Sequence, residues 1–403
     1  MNVLFLTLSR INNIEQRGSI YIDLVRKFRD NGHTLYIVTP LERREKKNTI
    51  FYKNSEVNIL GVKTLNFWKT NFIEKGIGTI LIEYQYYKAI SKYLKNTVFD
   101  LILYSTPPIS FTRIIKKIKK KYNTTSYLLL KDIFPQNALD LGLIKKNGLL
   151  HLYFSRKEKK LYEVSDYIGC MSPANVEYIK KQNPQIGSTK IIEVCPNSIC
   201  PIDFSVNDET KFAVRERWGI PQDKTVFIYG GNLGKPQGVD FLLDVLESNK
   251  KKEDCFFLIV GLGTEYAKIE TWLKSAQITN AKLLRKLPKS EYDLLIKACN
   301  VGLIFLDKRF TIPNYPSRLL SYLESKIPIL AATDTNTDIG KIAEANNYGF
   351  WCENGDIDRF NHYLNIYINN SILIYEMGNN GYHFLMENYT VDHTYNIILN
   401  HFS

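Results

Sequence analysis

Apolar residues along this chain keep two alternating rhythms. Short β-branched and aromatic runs at Asn2–Ser9, Thr34–Thr39, Leu101–Tyr104, Ser126–Leu130 and Tyr167–Met171 read as buried strands. Between them stand segments with apolar residues at helical spacing. Ser19–Asn31 shows this well: Ile20, Leu24, Val25 and Phe28 share one face, and Gly32 follows as a stop. Ile77–Leu94 and Ile109–Tyr122 continue the series. Pro40 is expected to close the second strand, because proline cannot donate to a ladder. Alternating strands and helices call for a parallel sheet with helices on both faces.

Around 183–208 the alternation dissolves into Asn, Pro, Ser and Asp, which predicts a domain boundary near residue 197. It then resumes, with strands predicted at 225–229, 255–260, 281–285, 301–306, 327–332 and 349–352. Tyr382–Asn400 reads as a last helix, with Asn388-Tyr389-Thr390 as its point of interruption. A chain of 403 residues is too long for one ordinary core. The class is α/β, with two Rossmann-like halves. Open α/β sheets bind ligands beyond the carboxyl ends of their strands. If both sheets aim those ends at one cleft, the candidate loops are 9–18, 106–108, 131–135, 230–238, 261–265 and 307–316.

One of these loops stands out for its placement. Residues 229–238 read Tyr-Gly-Gly-Asn-Leu-Gly-Lys-Pro-Gln-Gly, after the strand pattern Thr225–Tyr229 and before a helix carrying Val239, Leu242, Leu243 and Leu246. A strand, a glycine turn and a helix N-terminus make an anion site, because the backbone approaches closely and its N–H groups and dipole favour phosphate. Lys235 stands inside the turn. The same glycines also suit a plain strand-to-helix turn. A second tight glycine turn, Gly261-Leu262-Gly263, follows the next strand.

In Pro313-Asn314-Tyr315-Pro316-Ser317-Arg318, the proline and serine suit a helix start, with serine as cap. Arg318 would then occupy the first turn, where the helix dipole disfavours a cation unless an anion is bound. The alternative is an arginine leaning into solvent. Asp132, at the end of a strand, can accept a proton, bind sugar hydroxyls or cap its own loop. Gly18 could let a phosphate approach the first helix, or be a turn glycine. None of the six histidines has a paired spacing, so no metal site is expected.

Charge divides unevenly. Residues 1–200 carry 32 Lys+Arg against 16 Asp+Glu, and residues 201–403 carry 21 against 25. The first half is thus the one suited to a polyanion. Residues 111–121 and 143–162 are basic and amphipathic; the first also suits, and better, an outer helix whose apolar stripe lies on the sheet. The second adds Leu149, Leu150, Leu152, Tyr153 and Phe154, which suits an anionic membrane surface at about 1 kcal/mol per cation. The six cysteines form no CxxC pair and read as reduced thiols of a cytosolic protein. No secretory signal and no membrane-spanning run is expected.

Five stretches together resemble family 4 glycosyltransferases of the GT-B fold. They are Gly32-His33-Thr34 through Pro40, Pro196-Asn197-Ser198, the 230–238 loop, Val260-Gly261-Leu262-Gly263, and Pro316-Ser317-Arg318 through Ile329. The loop and Asp132-Ile133-Phe134-Pro135 look most like the bacterial O-antigen and capsule branch that transfers L-fucosamine-type sugars. The resemblance implies a retaining, metal-independent transfer from a nucleotide sugar, UDP-linked by preference, to a lipid-linked saccharide. No cofactor and no specific nucleic acid is implied. The enzyme would be cytoplasmic, on the inner face of the cell membrane. Residues 1–197 would bind acceptor, with 383–403 packing back on them, and residues 198–382 would bind donor.

Catalysis would fall to Asp132, Lys235 and Arg318. Gly230, Gly231, Asn232, Gly234, Gly261, Gly263, Leu287, Pro316, Ser317, Ser321 and Glu324 would hold the donor, and Arg17 and Gly18 the acceptor or a phosphate. The chain departs from the family pattern: Asn232 and Gln237 replace the usual Arg and Lys, and Pro313 and Ser321 the usual glutamates. Ser321 or Glu324 would then take over the ribose contact. A nucleotide-sugar 2-epimerase of the same fold and a basic nucleic-acid-binding protein are the alternatives of other classes.

Overall fold

The β-branched runs bury as strands and the amphipathic segments cover them. The computed structural model describes residues 1–15, 19–54, 56–67, 70, 72–202 and 206–402. The chain divides into two compact units, Met1–Ile199 with Val391–Ser403, and Cys200–Thr390. The return segment thus starts at Val391, where the sequence suggested 383. The helix Ser371–Asn388 ends first, Tyr389 and Thr390 interrupt, and Val391–Leu399 forms a new helix.

In the first unit, β1 (Asn2–Leu6), β2 (Thr34–Glu42), β3 (Ile50–Tyr52), β4 (Val57–Thr64), β5 (Leu101–Ser105), β6 (Thr125–Leu130), β7 (Tyr167–Cys170) and β8 (Ile191–Val194) form one sheet. Their order is β3-β4-β2-β1-β5-β6-β7-β8, and only the β3–β4 pair is antiparallel. The strand order reverses beside β1. Helix Ile20–Asp30, with Ser19 as its N-cap, lays Ile22, Leu24, Val25 and Phe28 on the core. The C-terminal helix packs beside it: Tyr395 meets Phe28 edge-on at 5.0 Å, and its hydroxyl lies 2.8 Å from His33 Nε2.

Pro40 does not end β2. The N–H groups of odd-numbered residues face β4, as in Leu35 N donating to the Glu56 carbonyl, and even-numbered residues face β1. At Pro40 the β1 side is vacant, because β1 has ended at Leu6 opposite Val38. The missing donor therefore costs no ladder bond. β3, β4 and β8 were not predicted. In β4 the alternation is broken by Gly61, whose Cβ would stand 2.8 Å from the Leu41 side chain.

In the second unit, β9 (Thr225–Asn232), β10 (Cys255–Leu262), β11 (Ala281–Leu284), β12 (Val301–Phe305), β13 (Ile329–Thr333) and β14 (Gly349–Glu353) are all parallel, in the order β11-β10-β9-β12-β13-β14. Here the reversal falls at β9. Its core joins Phe227 and Tyr229 to Leu242, Leu246, Phe257, Phe305 and Phe360. The glycine loop therefore leaves the sheet at the point where a doubly wound fold opens a crevice.

Candidate active site

In the second unit β9 runs past its predicted end at Tyr229, through Gly230, Gly231 and Asn232, still paired with β10. Leu233 N then donates to the Leu262 carbonyl at 3.0 Å. This extension depends on Gly261 and Gly263. A Cβ on Gly261 would stand 1.9 Å from the Gly231 carbonyl oxygen, and one on Gly263 would stand 2.1 Å from that of Leu233. Both were proposed as donor contacts; their surroundings show that they let the two loops lie flat on each other.

The loop's amides are mostly spent. Gly230 N donates to the Tyr322 hydroxyl at 3.0 Å, Gln237 N to the Gly234 carbonyl at 3.0 Å and Gly238 N to the Lys235 carbonyl at 3.2 Å. Gly238, at φ 56, then turns the chain into helix Val239–Asn249. Among the described residues, the Gly234 and Lys235 N–H groups have no protein acceptor. An anion at this turn would thus meet two amides, fewer than the glycine count suggests. The Lys235 side chain is exposed and forms no ion pair with a described residue.

Arg318 opens helix Arg318–Glu324 and lies against the loop. Its guanidinium carbon is 4.3 Å from the centroid of the Tyr229 ring, a cation–π distance. Nη2 donates to Gln237 Oε1. Nη1 is buried and has no partner among the described residues. The guanidinium also faces Gly231, where a Cβ would meet Cζ and Nη2 at 3.4 Å. A buried, unpaired guanidinium nitrogen costs free energy until an acceptor meets it. The surface-arginine alternative therefore falls.

Ser317 occupies the cap position in helical conformation, and its hydroxyl makes no capping bond. Its proposed capping role is not realised. Pro316 supplies a carbonyl to Leu319 N at 3.2 Å. Ser321 is half-buried. Glu324, offered for the ribose, accepts from Ile202 N at 3.0 Å instead and so holds the start of its own unit. Burial raises its pKa. Leu287 lies in the loop from β11 to helix Lys289–Lys297, whose Tyr292 hydroxyl occupies the space a Gly230 Cβ would need.

Several residues escaped the sequence reading. Tyr322 bonds Gly230 from beneath and also reaches the carbonyls of Ile228 and Leu303 at 3.1 and 3.2 Å. Its position four residues after Arg318, on the same helix face, was the available signal. Tyr229 read as a strand residue, and nothing local marked Tyr292.

In the first unit Asp132 follows β6. The Thr106 hydroxyl accepts from Lys131 N at 3.0 Å and Asp132 N at 3.1 Å, clipping the loops after β5 and β6 together. Asp132 is an exposed residue, yet desolvation by the surrounding protein pushes its carboxyl pKa up to about 6. Its neighbour Lys131 donates to the Cys195 carbonyl at 3.2 Å, and burial lowers its pKa to about 8. Arg17 and Gly18 lie outside the described residues. No three His, Cys, Asp or Glu side chains among the described residues gather as a metal site.

Phe134, in the Asp132 loop, packs edge-on against Phe154 at 5.0 Å. Phe154 belongs to helix Leu149–Val164, with Gly148 at its N-cap; residues 143–148, part of the amphipathic segment 143–162, are not helical. That helix exposes Leu149 at 88% and Leu150 at 61%. Helix Thr112–Tyr122 differs: Ile114, Ile115 and Ile118 are spent on the core, and Arg113 and the lysines face outward. Among the described residues, no helix is long and apolar enough to cross a membrane.

Comparison with known proteins bears on the fold. Residues 210–384 match the family described as glycosyl transferases group 1. The probable glycosyltransferase WbjE of Pseudomonas aeruginosa is 22% identical over 259 residues, 64% of this chain and 63% of WbjE. The chain thus spans less than two thirds of that relative's length. Among solved structures, HepE of Anabaena in complex with UDP superposes with a TM-score of 0.69 at 13% identity, covering 100% of this chain and 99% of HepE. WaaG, a glycosyltransferase involved in lipopolysaccharide biosynthesis, superposes at 0.64 and 13%, covering 98% and 99%. The chain thus has the two-domain GT-B fold, and most of its second unit, residues 210–384, matches the group 1 glycosyl transferase family.

Proposed function

We propose that this protein transfers a sugar, with retention and without a metal ion, from a UDP-linked donor to a lipid-linked saccharide. An N-acetyl-fucosamine or a related hexosamine is the sugar that the sequence resemblance favours, in capsule or O-antigen synthesis. The observation that carries the reading is the buried, partnerless Nη1 of Arg318 beside a glycine loop at the strand reversal. A diphosphate supplies the acceptor that nitrogen lacks. As the glycosidic carbon–oxygen bond breaks, negative charge grows on the departing phosphate. Arg318, Lys235 and the Gly234 and Lys235 amides stabilise it. A donor phosphate oxygen takes the acceptor's proton, and Asp132 orients a hydroxyl. Thermal-shift measurement with UDP, GDP and ADP tests the donor: UDP is expected to raise the melting temperature most. Equal or absent shifts would overturn the nucleotide assignment.

An Asp132 pKa near 6 carries a sign. The carboxylate accepts a hydroxyl hydrogen bond; the protonated form does so less well. Turnover should fall as pH drops through about 6, and Asp132→Asn should flatten that acidic limb while lowering the plateau. A pH–rate profile of both proteins checks this. An unchanged limb in the variant means that another group titrates there.

The membrane face is proposed at helix Leu149–Val164 and its surroundings. Leu149, Leu150, Leu152 and Tyr153 are exposed, as are Lys145, Lys146, Arg156, Lys159 and Lys160. Helix Phe72–Tyr93 adds exposed Ile77, Ile80, Leu81 and Tyr84, and Lys157 of one helix lies 3.9 Å from Glu83 of the other. The peripheral, cytoplasmic-face location rests on this surface. Leu149→Glu with Leu150→Glu should lower co-sedimentation with anionic vesicles by about tenfold or more, because two apolar side chains no longer insert. Equal sedimentation of variant and wild type would refute the surface.

A further inference from the structure

We propose that Gln237 is a positioning residue, one that aims the Arg318 guanidinium without cancelling its charge. The inference rests on the donor-site reading above. Gln237 Oε1 accepts from Arg318 Nη2, and the Tyr229 hydroxyl lies 3.4 Å from the same oxygen. That hydroxyl also donates to the Asn232 carbonyl at 2.8 Å, which ties the ring to the loop. The guanidinium is therefore fixed in three ways: the Tyr229 ring lies against it, Gln237 holds one edge, and Gly231 leaves room for it. Its other edge, Nη1, remains unpartnered.

The chemistry of the clamp matters. A carboxylate at 237 would hold Arg318 equally well, but would neutralise it and repel a diphosphate. A lysine would repel the guanidinium. A neutral amide oxygen accepts the hydrogen bond and leaves the full positive charge to a ligand. The site thus uses one fixed cation, Arg318, and one exposed cation, Lys235.

The test uses full-length protein, UDP as the probe, and calorimetric affinity beside melting temperature. Gln237→Glu should weaken UDP by about tenfold or more with the melting temperature held or raised, since the clamp stays and the charge is cancelled. Gln237→Met, similar in volume and lacking the acceptor, should weaken UDP less, and mainly at the transition state, visible as a lower kcat with a smaller change in KM. If both variants shift only the melting temperature, Gln237 is structural and the proposal fails. Arg318→Ala separates the two layers. If it binds UDP as wild type does, or if wild type does not bind UDP, the donor reading falls and this inference with it. If Arg318→Ala loses UDP and Gln237→Glu keeps it, only the role of Gln237 is overturned.

Discussion

Arg318→Ala is expected to reduce turnover by about 10²-fold or more, the loss typical when one charge-assisted donor to a developing anion is removed. The guanidinium is held against Tyr229 and Gln237, so its position costs no reorganisation when charge grows on the leaving phosphate. Lys235→Ala should cost less, because that ammonium is exposed and screened by solvent. Arg318→Lys should restore little, since a lysine lacks the planar fork that meets both Gln237 and a ligand. Steady-state kinetics with a defined donor and acceptor decide the matter. If Arg318→Ala and Lys235→Ala both stay within about twofold of wild type, the leaving-group assignment is wrong. The variant's melting temperature should stay close to that of wild type, because the substitution also removes a buried unpaired nitrogen.

Gly261→Ala should disrupt the donor loop without touching any ligand. The added methyl would stand 1.9 Å from a main-chain oxygen of Gly231, and backbone cannot rotate aside as a side-chain tip can. Either β10 shifts or the Gly230–Asn232 extension of β9 peels away. Overpacking of this kind costs about 1–3 kcal/mol and sometimes more. A lower melting temperature and weakened UDP binding are therefore expected together. The contrast with Arg318→Ala is the useful part: one lowers stability and binding jointly, the other binding and turnover alone. Should Gly261→Ala keep its melting temperature and lose UDP, the glycine would be a direct ligand contact, as the sequence first suggested.

Much of the fold was legible because it rests on local pattern. The six strands predicted in the second half all appear, each within a few residues of its expected bounds. Where prediction failed, a partner outside the local window decided. Pro40 stays in β2 because β1 has already ended beside it. β4 was missed because a glycine needed by Leu41 interrupts its alternation. The site was legible in part. Arg318 was found through a local contradiction, a cation in the first turn of a helix. Gly261 and Gly263 prove to be needed for backbone packing, a role invisible in sequence, because a glycine that admits a ligand and one that admits another backbone look identical there. Glu324 was offered to a ribose and holds Ile202 instead.

By itself the sequence determined the alternation of strands and helices, the break into two domains, and the place of the glycine loop between a strand and a helix. All three follow from residues within one or two turns of each other, where periodicity and turn chemistry act. Only the tertiary structure decided which amides of that loop are free, which glycines serve packing, and what holds Arg318. Gln237 and Arg318 are 81 residues apart, and Tyr322 reaches Gly230 across 92. Such pairs are set by the strand order of the sheet, which brings β9 beside β12 and so sets the glycine loop next to the helix that follows β12. A hydrogen bond between side chains so far apart leaves no periodic trace in the chain.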